Sequence, residues 1–134
     1  MLHKINHIGI AVQSIDATLP FYRDQLGMAF LGTEEVAEQR VRVVMLAIGE
    51  SKIELLEPTS DDSPVAKFLE KSGPGIHHIA YEVEDIEAAI AHLTASGARM
   101  IDQIPRTGAH GTRIAFVHPK SSSGVLTELC QGGH

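Results

Sequence analysis

Residues 6 to 12 read NHIGIAV and residues 77 to 83 read HHIAYEV. That internal repeat constrains the chain more than any other feature, because self-similarity at a fixed offset means one supersecondary unit used twice. His7 and His78 become equivalent positions. Each copy leads into a helix-like segment, QSIDATLPFYRDQLG after the first and EDIEAAIAHLTASGA after the second. Each half then ends in an apolar strand with one carboxylate in it, KIELLEP around Glu54 and VLTELCQ around Glu128. The copies lie 71 residues apart at the histidines and 74 at the glutamates, the longer loop HPKSSSG accounting for the difference. Two halves, each contributing one His and one Glu, would make a single four-ligand site.

The segment INHIGIAV is β-branched and bounded by polar residues, which predicts a strand over 5–12. Alternation puts Ile8, Ile10 and Val12 on one face and His7, Gly9 and Ala11 on the other, where the small neighbours leave room above His7. A helix follows, with Asp16 as its N-cap, Pro20 near the first turn, Gly27 at the stop, and Ile15, Leu19, Tyr22 and Leu26 on one face. MAFLGTEEV and RVRVVMLAIG predict two strands, with EEVAEQR between them as a solvated turn holding Glu34, Glu35 and Glu38. KIELLEP is the fourth strand, ended by Pro58. In the second half Asp85 caps a helix that turns Ile86, Ile90 and Leu93 inward and ends at Gly97. RMIDQI, TRIAFVH and GVLTELC predict three more strands. Between the first two lies PRTGAHGT, with two glycines and His110, a loop of the kind that commonly closes over sites. The unit is βαβββ, used twice, in an α+β fold. Residues 59–74, with a cap at Ser63 and a helix start at Pro64, join halves at about 1–58 and 75–134 within one domain spanning 1–134.

Composition narrows the function. A hydrophobic content of 43% in 134 residues supports a core without staples, and the single cysteine excludes a disulfide framework. Cys130 lies two residues after Glu128 on the same strand face and is read as a small buried hydrophobe rather than a nucleophile. The net charge of −6 argues against a nucleic-acid backbone as partner. With no apolar run of membrane-spanning length and no charged-then-apolar leader, neither a membrane nor secretion is expected, and the cytoplasm is the expected location. Two imidazoles and two carboxylates suit a divalent first-row metal, whether cobalt, manganese, zinc, nickel or iron, without selecting one. Burying two glutamates without such a cation is costly, and four protein ligands leave two positions open on an octahedral ion.

Paired βαβββ modules carrying His7, Glu54, His78 and Glu128 resemble the vicinal oxygen chelate superfamily. Within it, DATLPFYRDQLGM, ELLEPTSDDSPVAKFLEKSGPGIHHIAYEV and above all RTGAHGTRIAFVHPKSSSGVLTEL are similar to the methylmalonyl-CoA epimerase family, nearly end to end. The resemblance implies a curved mixed sheet around a metal site. It places cobalt, manganese, nickel or zinc on His7, His78 and Glu128, with Glu54 as a fourth ligand where some members carry Gln. It also implies a catalytic glutamate at Glu38 acting with Glu128, a CoA thioester substrate and a homodimer. The implied reaction takes the α-proton of methylmalonyl-CoA from one face and returns it to the other through an enediolate. Arg106 and Lys120 are candidate contacts for the CoA phosphates, or ordinary solvated charges. Glyoxalase I-type isomerases, extradiol dioxygenases and metal-free binding modules of the bleomycin-sequestering kind are the rival readings. The run AHGTRIAFVHPK separates the epimerase family from them.

Overall fold

The computed structural model describes residues 1–132, which form two compact units, one of His7–His77 and one of Met1–Asn6 with the chain from His78 onward. Strand β1 (Leu2–Ala11) is divided between them. The unit that begins at His7 continues with α1 (Ile15–Pro20), a π-helical turn over Phe21–Gln25, β2 (Ala29–Val36), β3 (Val41–Ile48), β4 (Ser51–Pro58) and α2 (Pro64–Ser72). Its strands run in the order β2-β3-β4-β1, antiparallel until β4 meets β1 in parallel. A parallel pair needs a long crossover, and the stretch from α1 through β3 supplies it. Val12, Ile15, Val44, Leu46 and Leu55 form the core, with Ile10, Leu19, Tyr22, Met28 and Ile53 packed against them. Ile10 and Val12 therefore face the helix, and His7, Gly9 and Ala11 face away from it, as the alternation predicts.

Helix α1 starts two residues earlier than expected. Ser14, with extended backbone angles, is its N-cap, and the Ser14 hydroxyl accepts from the Ala17 N–H at 3.1 Å. Asp16 falls in the first turn instead, where a carboxylate still favours the helix dipole. Pro20 closes the α-helix rather than opening it. Lacking an N–H, it cannot continue the ladder, and the helix widens so that the Leu26 N–H reaches the Phe21 carbonyl five residues back at 2.9 Å. The extra residue in that turn rotates Leu26 off the apolar face, so that it is half exposed while Met28 packs on the core. Glu34 and Glu35, expected in a turn, belong to β2 and oppose Val43 and Arg42; only Ala37–Gln39 make the turn.

The second unit holds β5 (Gly75–Val83, from His78), α3 (Ile86–Ala95), β6 (Arg106–Thr107), β7 (Arg113–Val117) and β8 (Thr127–Gln131). Its order is β5-β8-β7-β6, parallel between β5 and β8 and antiparallel beyond. The opening residues of β1 belong here too, where the Asn6 amide donates to Glu82 at 3.1 Å. Val83, Ile86, Ala89, Ile90, Met100, Ala115, Val117 and Leu129 build the core under α3. Residues 99–104 are not the expected strand. Met100 alone bridges Val117, because the Asp102 carboxylate takes the Phe116 N–H at 2.8 Å where a backbone carbonyl would stand, and the chain curls away. Among the described residues no helix is long and apolar enough to cross a membrane.

Both predicted caps of the later helices hold, Ser63 accepting from the Val65 N–H at 3.2 Å and Asp85 from the Ala88 N–H at 3.1 Å. Replacing Asp85 with Ala should lower the unfolding free energy by about 1 kcal/mol. Urea denaturation should show a lower midpoint at unchanged slope, with Asp85→Asn close to wild type.

Candidate functional site

Within the unit that starts at His7, the parallel register sets Gly9 opposite Glu54. His7 thus stands two residues before the position that faces the glutamate, and its Nε2 lies 3.4 Å from Glu54 Oε1. Within the other unit the same register recurs: Ala80 opposes Glu128, His78 stands two residues before it, and His78 Nε2 lies 3.3 Å from Glu128 Oε1. The sequence repeat is therefore a repeat of atoms. All four side chains are nearly inaccessible, at 6% and 7% in the first pair and 3% and 6% in the second. Each pair joins an imidazole nitrogen to a carboxylate oxygen out of reach of water. Such a donor set is compatible with a divalent metal ion, whose charge would offset the cost of burying the carboxylate.

The supporting contacts repeat as well. Three residues after each glutamate, a side-chain oxygen accepts the first N–H of the helix in its own unit: Glu57 from Ile15 and Gln131 from Ile86, both at 2.7 Å. Nothing in the motif reading picked out Glu57 or Gln131, although their equal offset from Glu54 and Glu128 was available. On its other side each glutamate faces the third strand of its module, Met45 for Glu54 and Phe116 for Glu128.

Around His78 and Glu128 the face is apolar. Ala80, Ile114, Phe116 and Cys130 pack together, and the Phe116 ring meets the His78 imidazole edge-on at 5.9 Å. Cys130 is buried and reduced on this face, in keeping with the expected hydrophobic role. The PRTGAHGT loop does fold onto the same face. A Cβ on Gly108 would stand 2.7 Å from Thr112 Oγ1 and 2.8 Å from Ile114 Cγ2, so only glycine lets the loop lie this close. His110 in that loop is half-buried with a left-handed φ of 57°. Two residues that motif reading missed tie the loop down: Asp102, which takes the Phe116 N–H, and Phe116 itself, over whose ring the Arg106 guanidinium lies at 5.4 Å.

The remaining candidates are outside these pairs. Glu38 is exposed in the Ala37–Gln39 turn between β2 and β3. His92 is exposed on α3, as expected. Lys120 is exposed, and its backbone N–H donates to His118 Nδ1 at 3.0 Å. Burial holds the His118 imidazole below its ordinary value, with Arg99 and Lys120 adding to the effect.

With this geometry in view, comparison with known proteins is direct. Residues 6–116 match the family model of the Glyoxalase/Bleomycin resistance protein/Dioxygenase superfamily. The chain is 43% identical to the ethylmalonyl-CoA/methylmalonyl-CoA epimerase of Cereibacter sphaeroides, over 98% of this chain and 99% of that one. It is 40% identical to human mitochondrial methylmalonyl-CoA epimerase, over 97% of this chain and 74% of the human protein. A variant of the Streptomyces coelicolor methylmalonyl-CoA epimerase in complex with 2-nitronate-propionyl-CoA superposes with a TM-score of 0.95 at 46% identity, covering 98% of this chain and 96% of that one. The chain belongs to this superfamily, and within it to the methylmalonyl-CoA epimerase family.

Because Gly108 has an ordinary negative φ, Gly108→Ala strains packing alone. It should destabilise the protein by about 1–3 kcal/mol, read as a lowered midpoint of urea unfolding.

Proposed function

We propose that the protein interconverts the two epimers of methylmalonyl-CoA, with His7, Glu54, His78 and Glu128 holding one divalent metal ion. The observation that carries this reading is the buried imidazole–carboxylate pair repeated in each unit of a chain that belongs to the epimerase family. A metal-free binding module of the same fold has no use for two buried carboxylates, whose desolvation a divalent cation would offset. Cobalt, manganese, nickel and zinc all suit two nitrogen and two oxygen donors. When bound, such an ion supplies Lewis-acid stabilisation of negative charge on the substrate oxygens.

The substrate's α-carbon lies between a thioester carbonyl and a carboxylate, so loss of its proton leaves charge spread over both. Inversion then requires one group to take the proton and another to return it from the opposite face. Glu38 and Glu128 are assigned these roles. Glu38, exposed in its turn, is placed to meet a substrate. Glu128, as a metal ligand, is the weaker base of the two. The family reading also carries a homodimer, and the sequence's lack of a membrane-length apolar run keeps the cytoplasm as the proposed location.

Mass spectrometry in heavy water tests the reaction. The metal-loaded protein should place solvent deuterium at the α-carbon of methylmalonyl-CoA, and a chelator should abolish the exchange. A glyoxalase I-type isomerase would leave this substrate untouched, so no exchange with metal present would end the epimerase reading.

A second measurement isolates the base. Glu38→Gln should keep metal content and thermal stability while losing at least ~100-fold in kcat, the contribution typical of a positioned general base. Wild-type turnover in that variant would remove Glu38 from the mechanism.

A further inference from the structure

We infer that Arg106 recognises the free carboxylate of the substrate, an inference that rests on the proposed function and names a specificity-determining residue for it. Its side-chain direction comes from the sheet register. Arg106 opposes Ile114, Ile114 opposes Cys130, and Phe116 opposes Glu128. Directly opposed residues project to the same face, so Arg106 stands on the face of its unit that carries Glu128 and His78. The long side chain then reaches along that face, placing its guanidinium carbon 5.4 Å from the centre of the Phe116 ring, the ring that also meets His78 at 5.9 Å.

The guanidinium is held in place by an ion pair and a ring. Asp102 Oδ1 faces its Nε at 3.4 Å while the other carboxylate oxygen of Asp102 is committed to the Phe116 N–H. Arg106 Nε is buried against Asp102 without a hydrogen bond of its own. With the side chain only 37% exposed and Asp102 15% exposed, neither can swing freely into solvent without giving up the ring and the ion pair. With Nε turned towards Asp102, the terminal nitrogens of this fixed planar fork are the ones placed to meet a planar anion that can accept two parallel hydrogen bonds. The substrate offers such a group in its free carboxylate and offers phosphates on its CoA tail. Since Phe116 contacts both the guanidinium and His78, the group that Arg106 meets is the one beside the reacting carbon. Arg106 thereby distinguishes a carboxylated acyl thioester from a plain one, as sites built around a substrate's polar group reject analogues that lack it.

The test compares malonyl-CoA, which carries the carboxylate, with acetyl-CoA, which does not, by calorimetry on the metal-loaded protein. Wild type should prefer malonyl-CoA. Arg106→Gln should cut that preference at least tenfold by weakening malonyl-CoA alone, with acetyl-CoA affinity and metal content unchanged. Arg106→Lys should recover part of the preference, because it keeps the charge and loses the fork. An unchanged preference in Arg106→Gln would overturn the inference, as would an equal loss for both thioesters, which would point to a contact with the CoA phosphates. A wild type without α-carbon exchange whose malonyl-CoA preference still depends on Arg106 would retire the reaction and keep the carboxylate site.

Discussion

A carboxylate buried to within a few per cent of full inaccessibility is the constraint around which each unit is built. Glu54 and Glu128 keep their positions because an imidazole stands within 3.4 Å in each case, two residues before the register partner on a parallel neighbour. Parallel pairing is not available to adjacent strands joined by a short turn. The module must therefore send its chain through a helix and two further strands before the last strand can return beside the first, and βαβββ is the order that results. The register partners of the two glutamates are both small, Gly9 in one unit and Ala80 in the other.

The same strands also set the helices. Glu57 and Gln131 lie three residues past the glutamates and take the first N–H of α1 and α3, so the strand that carries the site residue anchors the helix that covers its opposite face. A helix of six residues such as α1 has little stability of its own, and this contact together with the Ser14 cap and the burial of Ile15 compensates. In one module the acceptor is a carboxylate and in the other an amide. The requirement is thus for an oxygen at that point rather than for a charge, although Glu57 gains from the helix dipole where Gln131 does not.

What the sequence made legible was whatever repeats. The alternation around His7, the strands of the first module, the caps at Ser63 and Asp85, and the glycine-rich loop all follow from patterns of period two or from cap chemistry, and the structure keeps them. Two of the misreadings arise where a side chain changes the hydrogen bonding of the backbone. Asp102 takes a ladder position and curls residues 99–104 out of the strand that RMIDQI predicts, and Pro20 withholds an N–H and turns the second half of a helix into a π turn. Neither event has a signature in hydrophobic periodicity. Phe116 was equally hidden, since its position opposite Glu128 is a matter of register, which a single strand's pattern does not specify.

Comparing the modules position by position shows where duplication was followed by divergence. The His–Glu pair, the small residue facing the glutamate and the oxygen three residues beyond it are common to both. The turn between the second and third strands is also common in form, a single 3-10 turn with a left-handed residue, but it carries Glu38 and Arg40 in one module and His110 in the other. Opposite the glutamate stands Met45 in one and Phe116 in the other, and only the aromatic ring supports a cation on its face. Constancy at the His7–Glu54 and His78–Glu128 pairs, against difference at Glu38 and His110 and at Met45 and Phe116, separates the parallel-strand frame that each module needs from the turns and ring positions that each has of its own.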